Sequence, residues 1–103
     1  MKHYRKGIER ILPFPPDIIR GFSKVEAVFT SGDLMRAATG LRDIDGSHRS
    51  VAKFNIRRMV ELDIIERVPK RSLHQKRYPT ISQWIEQVLL KKAREFEVSH
   101  VFP

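Results

Sequence analysis

The chain has no cysteine, which excludes disulfides and thiolate metal sites and fits a reducing compartment. No apolar run approaches the roughly 20 residues of a membrane-spanning helix. The basic N-terminus, MKHYRKGIER, has no apolar signal core behind it, so a cytoplasmic protein without a membrane partner is expected. There is no GxxxxGKS/T phosphate loop, no GxSxG elbow and no HExxH pair. His3, His48, His74 and His100 are scattered. Asp43 and Asp45 before Gly46 make a fragment of a calcium loop without its later ligands. No residues therefore stand out for catalysis, a metal, a cofactor or a small-molecule effector, and none of these is expected.

Acid is missing from two stretches in particular. Residues 47–58 (SHRSVAKFNIRR) carry Arg49, Lys53, Arg57 and Arg58, and residues 67–77 (RVPKRSLHQKR) carry Arg67, Lys70, Arg71, Lys76 and Arg77, with no Asp or Glu in either. The whole chain is +8, whereas outside these stretches eleven basic residues face twelve acidic ones. A solvated surface intersperses its signs, so the clustering predicts a surface for a polyanion, with nucleic acid the leading candidate.

A length of 103 residues predicts a single domain. Residues 1–15 are expected to form an arm or short helix, with Ile8, Ile11 and Leu12 at helical spacing and Pro13, Pro15 and Pro16 ending it. Pro16 and Asp17 suit the start of a helix whose apolar face is Ile18, Ile19, Phe22 and Val25. Ala27-Val28-Phe29 reads as a short strand. Thr30 and Asp33 match a capping box, and the helix they open ends at Gly40, with Leu34 and Ala38 inward. Asp45-Gly46 reads as a turn. Ser47 or His48 opens a longer helix to about Leu62, with Ala52, Ile56, Met59 and Leu62 as its buried stripe. Residues 64–68 read as a strand, Pro69 to Lys76 as a polar basic loop, and Arg77-Tyr78 as the start of a return strand that Pro79 ends. Thr80 or Ser82 caps a last helix, 80–98, with Trp84 or Ile85, Val88, Leu89 and Phe96 as its apolar contacts.

The order of these elements, with FTSGDLMRAATG as a first helix-turn unit and RSVAKFNIRRMVELDIIERVPK as a helix running into a strand, resembles a winged helix-turn-helix domain. The segment MVELDIIERV is similar to the helix-to-wing junction of small bacterial and archaeal transcriptional regulators, and the resemblance covers residues 17 to about 90. It implies an α+β fold, mainly α with a small β-hairpin: a three-helix core spanning 16–79, a wing and a C-terminal helix. Two departures stand out. Asp63 occupies a position that is usually glycine in the family, and Asp is one of the few other residues tolerant of left-handed backbone. The turn from Gly40 to Ser47 is longer than the tight family version.

The resemblance implies sequence-specific binding of double-stranded DNA by a homodimeric transcriptional regulator, with helix 47–62 in the major groove and the wing, 69–76, on phosphate or the minor groove. Arg49, Ser50, Lys53 and Phe54 map to the base-reading end of the helix, His48 to its DNA-binding surface, and Arg57 and Arg58 to phosphate. Lys70, Arg71, His74 and Lys76 map to the wing, and Thr30 and Ser31 to a phosphate at a helix N-terminus. Arg67 and Arg77 are expected to be structural, pairing with Glu66 or a cross-strand neighbour, and Phe54 has a rival role in a core edge or subunit contact. Three rival readings keep the polyanion argument or the fold: a protein-interaction module, an RNA-binding protein, and a non-specific architectural DNA binder.

Overall fold

The computed structural model describes residues 14–69 and 71–95. Residues 1–13 of the arm expected at 1–15, Lys70 of the expected wing and Phe96 of the expected last helix lie outside them. The described residues form a mainly helical α+β unit: α1 (Pro16–Lys24), β1 (Val28–Phe29), α2 (Ser31–Thr39), α3 (Gly46–Glu61), β2 (Ile65–Arg67), β3 (His74–Lys76) and α4 (Ile81–Trp84). From α4 the helix continues as a π-helical stretch, Ile85–Leu90, and as further helix over 91–95. No helix among the described residues is long and apolar enough to cross a membrane.

Local chemistry sets most of the boundaries. Pro16 begins α1 with Asp17 in its first turn, where a missing N–H and a negative charge both suit the helix start. Thr30 accepts the Asp33 N–H at 3.1 Å and the Asp33 carboxylate accepts the Thr30 N–H at 2.9 Å, the expected capping box. Gly40 closes α2 in the left-handed conformation, φ 73°. Thr80 caps α4 by accepting the Gln83 N–H at 3.1 Å. Asp63 does adopt positive φ, 57°, at the turn between α3 and β2. Asp63→Val should cost about 1–2 kcal/mol in a denaturant melt, because a β-branched residue resists this conformation, while Asp63→Gly should cost nothing.

Two boundaries differ from the sequence reading. The cap of α3 is Asp45, not Ser47 or His48: the Asp45 carboxylate accepts the His48 N–H at 3.0 Å and the Ser47 hydroxyl at 2.7 Å. Aspartate serves turns and N-caps by the same backbone hydrogen bonds, so Asp45-Gly46 is the helix start itself. The Ser47 hydroxyl first, then the His48 N–H, hold the Asp45 carboxyl below the ordinary carboxylate range. The return strand is His74–Lys76, not Arg77-Tyr78. Val68 and Leu73 close the hairpin, N–H to carbonyl at 3.0 Å, which shortens the loop to its 69–72 tip.

The three strands form an antiparallel sheet in the order β1-β3-β2. Phe29 pairs with His74, and His74 in turn with Arg67; Ile65 pairs with Lys76. The inner face of β3 is thus made by His74 and Lys76. The His74 ring lies 5.8 Å from that of Phe29, and the Lys76 ammonium sits 4.6 Å above the Phe22 ring and donates to the Pro79 carbonyl at 2.9 Å. Polar residues that cover aromatic rings with their bodies and stems disguise a strand as a basic loop.

One core unites these elements: Phe14, Ile18, Phe22, Phe29, Leu34, Met35, Ala52, Ile56, Met59, Ile64, Ile65, Ile81 and Trp84 are all buried. Ala52, Ile56 and Met59 form the stripe expected of α3, but its fourth place belongs to Asn55, and Leu62 is exposed. The Asn55 amide donates to the Val51 carbonyl one turn back at 2.9 Å. Leu62 has already left the helix as its C-cap, so the 3.6-residue spacing no longer carries it inward.

Candidate functional site

With Ala52, Asn55, Ile56 and Met59 turned inward, spacing of four places Arg49, Lys53 and Arg57 along one flank of α3. That flank faces the hairpin across a cleft of about 570 Å³, lined by Ser31, Lys53, Ile56, Arg57, Arg67 and Arg71 among others, with His74 at the β3 side. Among the described residues four cations and no acid line this cleft. The two acid-free stretches of sequence, eight or more residues apart along the chain, thus meet across one space. Among the described residues none of Lys53, Arg57, Arg67 and Arg71 has an ion pair. Their field is therefore uncompensated within the described chain, the condition under which a cleft concentrates anions.

The sequence-predicted residues divide into those that reach this surface and those committed elsewhere. Lys53, Arg57 and Arg71 line the cleft, and Ser31 joins them from the first turn of α2, where unsatisfied N–H groups and the helix dipole favour an anion. Arg49 is exposed one turn before Lys53. Thr30 spends its hydroxyl on its own capping box. His48 lies within the α3 cap, its Nδ1 3.2 Å from the Asp45 N–H nitrogen and 3.2 Å from the Asp45 carboxylate. Ser50 is exposed and donates to the Gly46 carbonyl at 3.1 Å, which leaves its oxygen free to accept. Arg58 turns to the opposite flank and pairs with Glu61 at 3.6 Å.

Two residues sit elsewhere than the sequence reading places them. Lys76 belongs to β3 rather than to the loop, its ammonium lies over Phe22 and donates to the Pro79 carbonyl, and burial pushes that ammonium below the ordinary lysine range. Arg67, expected to be structural, lines the cleft without an ion pair among the described residues. Arg77 does make the anticipated pair, with Glu66 at 3.2 Å. The signal that separates the two arginines is strand alternation: Glu66 and Arg77 share the outer face, whereas Arg67 follows Ile65 and shares the face of His74.

Phe54 is neither core nor core edge. It is 63% exposed and lines a shallow, apolar hollow with Pro15, Ser50, Val51 and Asn55 on the other flank of α3. In the last helix Val88 packs against the core, while Leu89 is 39% exposed. Among the described residues no three His, Asp or Glu side chains form a metal-ligating group. In comparisons with known proteins, no family model, no curated protein and no solved structure matches the chain.

Proposed function

We propose that the protein is a winged-helix domain that binds double-stranded DNA sequence-specifically and regulates transcription. The observation that carries this reading is the acid-free cleft in which Lys53 and Arg57 of α3 face Arg67 and Arg71 of the hairpin. A helix flanked by such a cleft suits duplex DNA: the exposed ridge of α3 enters the major groove, and the cations beside it take the backbone phosphates. On that ridge Arg49, Ser50 and Phe54 are exposed. Arg49 has the reach for a bidentate contact with guanine, and Phe54 supplies an apolar face for a thymine methyl. His48 contributes by fixing the start of the helix rather than by reading a base.

The exposed Leu89 of the last helix supports a second element of the proposal, pairing of two chains there. Two copies then place one α3 on each half-site, about one helical turn of DNA apart. Selection of bound duplexes from a random DNA pool tests the whole reading. An enriched site with two-fold symmetry is the expected result. Retention of all sequences alike points to architectural coating. Failure to retain any duplex at low salt overturns DNA binding and favours a protein partner.

A further inference from the structure

The cleft has one lining group whose charge is not fixed. His74 sits on β3 between Phe29 of β1 and Arg67 of β2, and it borders the same space as Lys53, Arg57 and Arg71. Its Nδ1 is buried and has no hydrogen-bond partner among the described residues. The ring therefore holds one enclosed nitrogen, beside the cleft, with no partner inside the described chain.

The electrostatics of the cleft oppose a charge on this ring. Burial first, and the Arg67 guanidinium second, hold His74 below its ordinary value of 6.5. The charged groups around it are Arg67 from β2, Lys53 and Arg57 from α3, and Arg71 from the hairpin tip; Phe29 from β1 and Ser31 from α2 are uncharged. Among the described residues no carboxylate lines the cleft. An anion entering it removes the repulsion and supplies an acceptor for an imidazolium N–H. Guanidinium forks favour planar or tetrahedral oxyanions, which they meet through parallel hydrogen bonds. At about 570 Å³ the cleft is larger than a lone phosphate needs, which favours a phosphate carried on a larger body.

We propose that this cleft seats an oxyanion of the phosphate class, held by Lys53, Arg57, Arg67 and Arg71, and that His74 takes up a proton when the seat is filled. On the DNA-binding reading, on which this identity of the ligand rests, the oxyanion is a backbone phosphodiester and binding strengthens as pH falls. The sign follows from linkage. His74 is neutral in the empty protein near pH 7, and the anion raises its proton affinity. Over the interval between the empty and filled values, the complex binds more protons than the free chain, so acidification favours the complex.

Two measurements on the full chain test this. Sulfate, a phosphate-class dianion with no titration of its own near neutrality, is added while the His74 imidazole is followed by NMR across pH. Its titration midpoint should move upward with sulfate; a midpoint that stays in place overturns the seat. Affinity for a duplex is then measured at constant salt between about pH 7.5 and about pH 5.5. It should rise by about three- to tenfold in the native chain and much less in His74→Gln, since moving the midpoint of a single group by about one pH unit supplies at most about tenfold. An identical pH response in His74→Gln overturns the role of His74 while leaving DNA binding intact. A sulfate-dependent rise in the midpoint without any duplex binding keeps the oxyanion seat and removes the DNA reading.

Discussion

Replacing Lys53, Arg57, Arg67 and Arg71 together by glutamine should weaken duplex binding at least about a hundredfold at about 0.1 M salt. Each phosphate neutralised by a cation releases condensed counterions and adds about −0.9 to the slope of log affinity against log salt, so four contacts add roughly −3.6. The quadruple variant should lose most of that slope, and its deficit should shrink as salt is raised. All four side chains are exposed, and none has an ion pair among the described residues, so little folding stability depends on them. A matched control removes the same charge from Arg20, Lys24, Lys91 and Lys92, which are exposed and do not line the cleft. Fluorescence anisotropy against salt distinguishes the two. Equal losses in both variants mean that net charge alone drives binding, and an unchanged slope in the cleft variant removes the cleft from the interface.

This contrast between position and net charge also marks where the sequence stops being readable. Two basic clusters were plain in the sequence because charge asymmetry needs no fold to be seen. Their meeting across one cleft depends on the docking of the hairpin beside α3, which no local pattern encodes. Within the hairpin, Arg67, Lys76 and Arg77 are chemically alike, and only strand register decides that one faces the cleft, one stacks over Phe22 and one pairs with Glu66. The register was hidden because β3 presents His74 and Lys76 on its inner face, where alternation rules look for Val or Ile.

Helix boundaries were easier, since caps and stops are short-range devices. Pro16, the Thr30–Asp33 box, Gly40 and Thr80 all act within a turn of their own position; the first three are legible from the residues alone, and Thr80 as one of two alternatives with Ser82. The one cap misread, Asp45, failed for a physical reason. A histidine at the third helical position replaces the usual Glu or Gln of a capping box, so the sequence signature was absent although both hydrogen bonds form. That cap bears on His48, a residue the resemblance assigns to the DNA-binding surface, whose ring and N–H are engaged with Asp45 at the start of α3.

Gly21→Val is expected to destabilise the fold by about 3 kcal/mol or more, enough to lower the melting midpoint by 10 °C or more, at about 4–8 °C per kcal/mol for a small domain. The sequence makes Gly21 look like a weakness, a residue that costs about 1 kcal/mol relative to alanine in a helix interior. The packing reverses that judgement. Gly21 is buried on the face where α1 meets α2, and a Cβ placed there falls 2.8 Å from both the backbone Cα and N of Ala38 and 2.9 Å from its Cβ. Real Cβ atoms do not approach backbone so closely, and backbone cannot swing aside as a long side chain does. Even Gly21→Ala should therefore be a net loss, because separating the helices outweighs the gain in helix propensity. Valine adds two branches to the same collision. The displacement reaches beyond stability, since α2 packs on α3 and also brings Ser31 to the cleft. Calorimetry on both variants checks the argument: a melting midpoint for Gly21→Ala above that of the native chain means that α1 and α2 separate at little cost, and the close approach is not what glycine is needed for.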